Sequence, residues 1–190
     1  MGKVILVTGG ARSGKSGFSE KLLSGRDAVL YIATATPLDE EMERRIAHHR
    51  AQRPEAWETL EAFSDLERKL NEKNRVYDGI LLDCITVMLT NQLFHHPDFQ
   101  EDQYSEQFWS DFEKKAKLGL HKFLAVARSM SYTVILVTNE IGMGLVPETA
   151  LSRQFRDLAG RINQMLAAEA DEVYLLVAGI PLKIKEGNPS

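Results

Sequence analysis

The sequence predicts a single α/β domain with a mainly parallel sheet and helices on both faces. Runs of aliphatic and β-branched residues, typical of buried strands, alternate with segments whose apolar residues recur at helical spacing. A strand, a helix and a second strand in succession form a crossover unit, in which the two strands lie parallel in one sheet. The length of 190 residues suits one domain with a full core and is too short for two ordinary ones.

The predicted elements follow one another along the whole chain without an internal repeat or an interdomain linker. The predicted strands are 3–8, 28–33, 57–61, 80–84, 133–139, 172–177 and 179–185. The predicted helices are 17–24, 39–50, 66–74, 86–93, 105–129 and 150–171. Local signals support them: Asp39, Glu40 and Glu41 place acid in the first turn of a helix, where the helix dipole favours negative charge. We therefore expect one domain over residues 1–190.

Composition narrows the class of protein. Hydrophobic residues make up 44% and charged residues 26% of the chain, as in globular proteins. The net charge of −4 argues against a nucleic-acid partner held by phosphate neutralisation. The single cysteine, Cys84, excludes an internal disulfide and suits a reducing compartment. Since the sequence has neither a signal segment nor a stretch of membrane-spanning length, we expect a cytoplasmic protein.

The first loop carries the motif G-x-x-x-x-G-K-[ST], a phosphate-binding loop (P-loop). Its eight residues are Gly9, Gly10, Ala11, Arg12, Ser13, Gly14, Lys15 and Ser16. A predicted strand precedes it and a predicted helix follows it, which is the context that the motif requires. Glycines let successive backbone N–H groups turn toward phosphate oxygens, and the helix N-terminus adds partial positive charge. The sequence therefore predicts a nucleotide-binding protein with a P-loop NTPase fold of the RecA-like type.

Three side chains have the chemistry of phosphoryl transfer. Lys15 can reach the β- and γ-phosphates, and the Ser16 hydroxyl can hold Mg²⁺. Asp83 follows three aliphatic residues at the end of a strand, where P-loop enzymes keep the acid that orients Mg²⁺. The alternative role for Asp83 is to cap the next helix. Because ligands bind at the carboxyl ends of parallel strands, we expect Thr34, Asp83 and residues 139–140 beside the P-loop.

Two adjacent histidines, His48 and His49, lie near the end of the predicted helix 39–50. About 100° separates neighbouring residues of a helix, so the two rings point in different directions. His49 continues the apolar stripe of Met42 and Ile46, whereas His48 lies on the polar side. If one of the two histidines is a free, reactive imidazole, this geometry favours His48. A histidine that forms a covalent intermediate would add a second chemistry to that of the P-loop. The alternative is that the pair only packs or decorates the surface.

Several arginines accompany the P-loop and the histidines. They are Arg12, Arg44, Arg45, Arg50 and Arg53. They could neutralise a transferring phosphoryl group or a pyrophosphate leaving group. They could equally form a solvated helix face with glutamate–arginine pairs. The sequence leaves both interpretations open.

Six sequence blocks occur in an order that is typical of one family. They are TGGARSGKS at 8–16, YIAT at 31–34, RIAHH at 45–49 with Arg53-Pro54, LDCIT at 82–86, VTNEIGMGLVPE at 137–148 and RDLAGRIN at 156–163. Together they resemble the bifunctional adenosylcobinamide kinase/adenosylcobinamide-phosphate guanylyltransferase family of cobalamin assembly. The resemblance runs from residue 3 to about residue 185. The histidine pair and the T-N-E-x-G-x-G-x-V-P block make it specific, whereas many families share the P-loop.

The resemblance implies two reactions on one polypeptide. First, the terminal hydroxyl of the cobinamide aminopropanol arm takes a γ-phosphoryl group from ATP or GTP. Then GTP donates GMP to that phosphate through a guanylylated histidine, which releases pyrophosphate and gives adenosylcobinamide-GDP. The resemblance also implies a homo-oligomer, with a trimer as the expected form. Segment 94–111 has no counterpart in the resemblance, so its aromatic residues could contact the corrinoid, the core or another subunit.

The resemblance implies site residues as well. Its nucleophilic histidine falls on His48, and Lys15 is the second catalytic residue. The implied nucleotide contacts are Gly9, Gly10, Ala11, Arg12, Ser13, Gly14, Lys15, Ser16, Ile32, Ala33, Thr34, His49, Arg50, Ala51, Gln52, Glu61 and Asp83. Mg²⁺ would be held by Ser16 and Asp83.

Three other functions use the same P-loop. A single-activity small-molecule kinase would transfer γ-phosphate with passive histidines. A recombinase-like ATPase would need a basic groove, which the acidic balance does not favour. A nucleotide-dependent regulator would bind GTP without turnover. The T-N-E-x-G-x-G-x-V-P block weighs against all three through the resemblance.

Overall fold

A seven-stranded sheet forms the centre of the protein in a computed structural model, which describes residues 2–36, 44, 50, 53–100, 105–130 and 132–187. Its strands are β1 (Val4–Gly9), β2 (Val29–Ala33), β3 (Glu58–Glu61), β4 (Gly79–Asp83), β5 (Thr133–Val137), β6 (Glu172–Val177) and β7 (Ile180–Lys185). The order across the sheet is β3-β2-β4-β5-β1-β6-β7. Neighbours from β3 to β6 pair in parallel, and β6 pairs with β7 antiparallel.

Five helices connect these strands in the described part of the chain. They are α1 (Lys15–Leu22), α2 (Leu66–Asn71), α3 (Ile85–Phe94), α4 (Glu106–Ser129) and α5 (Ala150–Glu169). A side chain caps the first turn of each of the two long helices. Its oxygen accepts a hydrogen bond from a backbone N–H group that would otherwise lack a partner. The Ser105 hydroxyl accepts from the backbone N–H of Phe108 at 3.1 Å, and the Thr149 hydroxyl accepts from that of Ser152 at 3.2 Å.

Alternate side chains of the central strands enter two cores, one on each face of the sheet. In β1, Val4 and Leu6 belong to the larger core, which α2, α3, α4 and α5 cover. Ile5 and Val7 belong to the smaller core, which α1 covers. Burial of both faces explains why these strands read as continuous apolar runs. The predicted α/β, P-loop NTPase fold of the RecA-like type, with a mainly parallel sheet and helices on both faces, is confirmed.

The element boundaries differ from the predictions by a few residues. The helix predicted at 66–74 ends at Asn71, and the strand predicted to 139 ends at Val137. The last predicted strand is present as β7 and forms a hairpin with β6. Of the predicted helix 39–50, the described residues Arg44 and Arg50 are helical, and the others lie outside the described residues. Within the described ranges, no helix is long and apolar enough to cross a membrane.

Candidate active site

A cleft of about 540 Å³ opens at the carboxyl edge of the parallel strands. The P-loop from Ala11 through Ser16 forms one wall. Tyr31 and Ala33 of β2, Asp83 of β4 and Asn139 after β5 contribute to the others. The expected meeting of strand ends at one edge is therefore observed, and a cleft of this volume accommodates one nucleotide-sized ligand.

The P-loop adopts backbone conformations that its sequence explains only in part. Gly9 has φ +151° and Gly14 has φ +93°, both in the region that favours glycine, and Arg12 has φ +55°. A Cβ on Gly9 would overlap the carbonyl oxygen of Leu176, and a Cβ on Gly14 would lie 3.2 Å from the Cα of Gly179. These two glycines therefore let β6 and the β6–β7 turn pack directly against the loop.

The β6–β7 turn also bonds to the P-loop. The backbone N–H of Gly179 donates to the carbonyl of Ser13 at 2.9 Å. Val177 pairs with Ile180, so the turn has two residues, and both of them, Ala178 and Gly179, have positive φ (+52° and +83°). This is the geometry of a tight hairpin whose twist matches that of its strands. The hairpin thus braces the phosphate-binding loop from outside.

Lys15 lies across the P-loop. Its Nζ donates to the carbonyl of Gly9 at 2.9 Å and to that of Gly10 at 2.6 Å. Burial lowers the pKa of Lys15, and the negative charge of Asp83 opposes that effect. The ammonium group therefore stands inside the loop, where phosphate oxygens can replace the carbonyl oxygens as its acceptors.

Asp83 and Ser16 face the same cleft and present oxygen atoms. Asp83 is half-buried at the end of β4, and its Oδ2 accepts a hydrogen bond from the hydroxyl of Tyr31 at 2.9 Å. Burial raises the pKa of Tyr31, and the negative charge of Asp83 raises it further. The phenol therefore stays protonated and remains a hydrogen-bond donor. A hydroxyl and a carboxylate fit a hard cation such as Mg²⁺, which usually takes one or two protein ligands and leaves the rest to phosphates and water.

The three residues predicted at the end of β2 take different positions. Ala33 lines the cleft, as expected for a nucleotide contact. The side chain of Ile32 is fully buried in the larger core, because strand alternation points it to the opposite face from Tyr31 and Ala33. The Thr34 hydroxyl donates to the carbonyl of Cys84 and accepts from its N–H, both at 2.8 Å, so it ties β2 to β4.

A buried polar network supports the far wall of the cleft. The Thr86 hydroxyl accepts from the backbone N–H of Asn139 at 2.9 Å and lies 3.3 Å from the Thr138 hydroxyl. Thr138 donates to Asn163 of α5 at 2.7 Å, and Asn163 donates to the carbonyl of Asn139 at 3.1 Å. These bonds fix the start of the loop after β5. The sequence placed Asn139 at a strand end but gave no sign of its partners in α3 and α5.

Cys84 adds no nucleophile to this wall. Its thiol is buried between the strand ends and accepts from the backbone N–H of Val87 at 3.5 Å. Burial, reinforced by the charge of Asp83, raises the pKa of the thiol to about 12. The group therefore remains protonated at neutral pH, where thiols react only as thiolates.

Part of the predicted site falls outside the described residues. These positions are His48, His49, Ala51 and Gln52. Glu61 is exposed at the cleft rim, 3.9 Å from the guanidinium of Arg50, which is also exposed. An ion pair this open to solvent contributes about 0–1 kcal/mol, so it fixes neither side chain firmly.

Among the cleft residues outside the set of site residues implied by the resemblance, Tyr31 and Arg53 contact each other. The guanidinium carbon of Arg53 lies 3.3 Å from the centre of the Tyr31 ring. Burial raises the pKa of the nearby Glu20 carboxyl, and the charge of Arg53 partly offsets this. The sequence grouped Arg53 with four other arginines, and only the fold distinguishes it. Tyr31 is an aromatic residue in a predicted buried strand, and from the sequence this position indicated only core packing.

The described aromatic residues of segment 94–111 form two ring pairs, and the second pair belongs to α4. The rings of Phe94 and Phe99 are 5.0 Å apart, and Phe108 and Trp109 are 5.8 Å apart. Trp109 is buried in the larger core. None of these four described aromatics lines the cleft. Phe99, Phe108 and Trp109 therefore pack in or against the larger core, whereas Phe94 is about half exposed.

The chain has close relatives of known name. The family described as cobinamide kinase / cobinamide phosphate guanyltransferase matches residues 5–184. The bifunctional adenosylcobalamin biosynthesis protein CobU of Escherichia coli (strain K12) is 46% identical over 183 residues, which is 96% of this chain and 99% of that protein. The protein of the same name from Salmonella typhimurium (strain LT2) is 47% identical over 182 residues, with coverage of 96% and 99%. The bifunctional adenosylcobalamin biosynthesis protein CobP of Pseudomonas aeruginosa is 40% identical over 185 residues, with coverage of 97% and 98%.

Proposed function

Because the chain belongs to the cobinamide kinase / cobinamide phosphate guanyltransferase family, we propose that it catalyses two successive reactions of cobalamin assembly at the P-loop cleft. In the first, it phosphorylates adenosylcobinamide with ATP or GTP. In the second, it transfers GMP from GTP to adenosylcobinamide phosphate. The observation that carries the proposal is the ammonium of Lys15, held inside the P-loop by the carbonyls of Gly9 and Gly10, in a cleft that also presents Asp83.

In the kinase step, the hydroxyl oxygen of the aminopropanol arm attacks the γ-phosphorus of the nucleotide. The new O–P bond forms as the bond to the β–γ bridging oxygen breaks, and the hydroxyl proton passes to solvent. The P-loop amides and Lys15 offset the negative charge that otherwise repels the nucleophile. Lys15 acts as a compact charge, so an arginine is not equivalent at this position.

The oxygen donors of Ser16 and Asp83 would hold Mg²⁺ beside the bound phosphates. A magnesium ion there supplies positive charge to the phosphate oxygens. Asp83 is suited to this role because the hydrogen bond from Tyr31 fixes one of its two oxygens and leaves the other for the metal or its waters. In the described structure Asp83 does not cap the following helix, because the N-cap residue of α3 is Cys84.

In the guanylyl transfer step, neutral His48 would attack the α-phosphorus of GTP. An N–P bond forms, the bond to the α–β bridging oxygen breaks, and pyrophosphate leaves. A phosphate oxygen of adenosylcobinamide phosphate then attacks the same phosphorus, the N–P bond breaks, and adenosylcobinamide-GDP is formed. The histidine thus divides one difficult displacement into two easier ones. The support for His48 over His49 is its place on the polar face of the predicted helix.

The proposal extends to assembly and location. On one face of β7 the side chains of Ile180, Leu182 and Ile184 are 71%, 58% and 56% exposed. An exposed apolar row on an edge strand marks a protein–protein contact. We expect a homo-oligomer, with the trimer that the resemblance implies, in the cytoplasm, where GTP and ATP are available. Light scattering of the purified protein measures the subunit number.

The decisive experiment incubates the protein with Mg²⁺ and GTP labelled at the α-phosphate, without corrinoid. A guanylylated histidine keeps label that survives alkali and is lost in acid, because a phosphoramidate is acid-labile. We expect label in the wild type and in His49→Ala, and none in His48→Ala. His48→Ala should still transfer γ-phosphate to cobinamide, whereas Lys15→Ala should weaken both reactions.

Three other outcomes would contradict parts of this proposal. Label that survives in His48→Ala and disappears in His49→Ala moves the nucleophile by one residue. A wild type that binds GTP and phosphorylates cobinamide without retaining α-label is a single-activity kinase. Loss of both reactions in His48→Ala contradicts the division of labour between the P-loop and the histidine.

A further inference from the structure

Tyr31 makes two contacts in the cleft with different parts of its side chain. Its hydroxyl donates to Oδ2 of Asp83 at 2.9 Å. The guanidinium of Arg53 stacks on its ring, with the guanidinium carbon 3.3 Å from the ring centre. All three residues line the cleft that contains the P-loop. One side chain therefore joins the acid at the end of β4 to a cation on the segment before β3.

Arg53 is held by this stacking rather than by an ion pair. Within the described ranges, no carboxylate lies at salt-bridge distance from its guanidinium. Its Nε is buried and has no hydrogen-bond partner among the residues that the structure describes. A buried N–H group without a partner is rare in proteins, and it is expected where a ligand supplies the acceptor. A guanidinium matches phosphate oxygens in geometry and charge.

We propose that Tyr31 is a positioning residue that holds Arg53 as a binding group for the nucleotide phosphates and, through its hydroxyl, orients Asp83. The proposal rests on the proposed function and names a further part of the same site. The ligand of Arg53 is the polyphosphate of the bound nucleoside triphosphate, or the pyrophosphate that leaves in guanylyl transfer. In this arrangement the ring and the hydroxyl have separable tasks, because removing the hydroxyl leaves the stacking surface in place.

The chain offers a matched control in Tyr77. Its hydroxyl donates to Oε2 of Glu58 at 2.6 Å, and the guanidinium carbon of Arg75 lies 5.8 Å from its ring centre. Tyr77 is buried, as Tyr31 is, but it lies outside the cleft. Tyr77→Phe therefore removes a similar tyrosine–carboxylate bond without touching the nucleotide site.

The experiment measures the affinity of the full-length protein for GTP and for inorganic pyrophosphate by calorimetry, with Mg²⁺ and with EDTA. Tyr31→Phe should weaken GTP binding about tenfold in Mg²⁺, because Asp83 loses a hydrogen bond to its charged group, and should leave binding in EDTA unchanged. Tyr31→Leu and Arg53→Gln should each weaken pyrophosphate binding in EDTA about tenfold, since both remove the positioned guanidinium. The double variant Tyr31→Leu/Arg53→Gln should lose no more than either single variant in EDTA. Tyr77→Phe should bind like the wild type in both conditions.

Clear results would overturn the proposal. One is that Arg53→Gln binds pyrophosphate with wild-type affinity. Another is that Tyr31→Phe loses the same factor in GTP affinity with Mg²⁺ and with EDTA. A third is that the losses in pyrophosphate affinity of the two single variants add up in the double variant. The same loss in Tyr77→Phe would show a general effect of removing a buried hydroxyl. Arg53→Gln and Tyr31→Phe keep the test valid if Tyr31→Leu does not fold. A wild type that binds GTP but retains no α-label refutes the guanylyl transfer step alone, so the two failures are distinguishable.

Discussion

Replacement of Gly9 by alanine tests how tightly β6 braces the P-loop. Gly9 ends β1 with φ +151°, and β6 runs parallel beside it, with Gly9 opposite Leu176. An alanine Cβ would overlap the Leu176 carbonyl oxygen and lie 2.8 Å from the hydroxyl oxygen of Ser13. The carbonyl belongs to the backbone of a paired strand, so it cannot move aside without disturbing the sheet. We expect Gly9→Ala to destabilise the protein even without nucleotide.

The size of the effect follows from two separate costs. A non-glycine residue held in such a backbone conformation costs about 1–3 kcal/mol. Inserting a methyl group into closely packed surroundings costs about 1–3 kcal/mol more. The free energy of unfolding should therefore fall by about 2–6 kcal/mol, which is a large part of the roughly 5–15 kcal/mol that holds a typical protein folded. For a chain of this length each kcal/mol corresponds to about 2–4 °C in Tm.

Urea denaturation followed by circular dichroism measures this difference. Gly10→Ala is the control in the same loop, because a Cβ there meets no atom within 4 Å. It should change the free energy of unfolding by less than about 0.5 kcal/mol. An equal loss in both variants, or a Gly9→Ala protein as stable as the wild type, would refute the packing of Gly9 against β6.

Two further predictions concern the sheet edge. Ala178→Asn should raise the free energy of unfolding by up to about 1 kcal/mol in urea denaturation, because asparagine tolerates the positive φ that the turn with Gly179 requires; a destabilised variant would contradict this turn geometry. Hydrogen bonds, first from Lys3 and also from Lys183, hold the pKa of Glu172 below its usual value. A depressed carboxyl pKa gives stability that is present above the unfolded-state pKa of about 4.3 and is lost as the pH falls through the lower folded-state value. Glu172→Gln should therefore lower stability at pH 7 by up to about 1 kcal/mol and flatten its loss below pH 4.3, and an unchanged pH profile would contradict the contribution of these ion pairs.

The sequence was sufficient for the fold because the relevant signals are local. A strand that is buried on both faces must be apolar throughout, and a helix that covers it must be apolar on one side, so 133–137 and 106–129 are evident from composition and periodicity alone. The P-loop is similarly local, because eight consecutive residues provide the turn, the amides, the lysine and the hydroxyl. The position of Asp83 at the sheet edge could be predicted because a polar residue at the carboxyl end of a buried strand lies there.

Tertiary structure alone decided how distant segments complete the cleft. Nothing local indicates that Arg53 lies over Tyr31, since the two residues belong to different elements and meet only when β3 is placed beside β2. The same holds for Asn163, which joins Asn139 across the connection from β5 to α5. A sequence pattern records which face of an element is buried, whereas contacts between elements depend on strand order. Here that order brings together the ends of β1, β2, β4 and β5, which are separated by most of the chain.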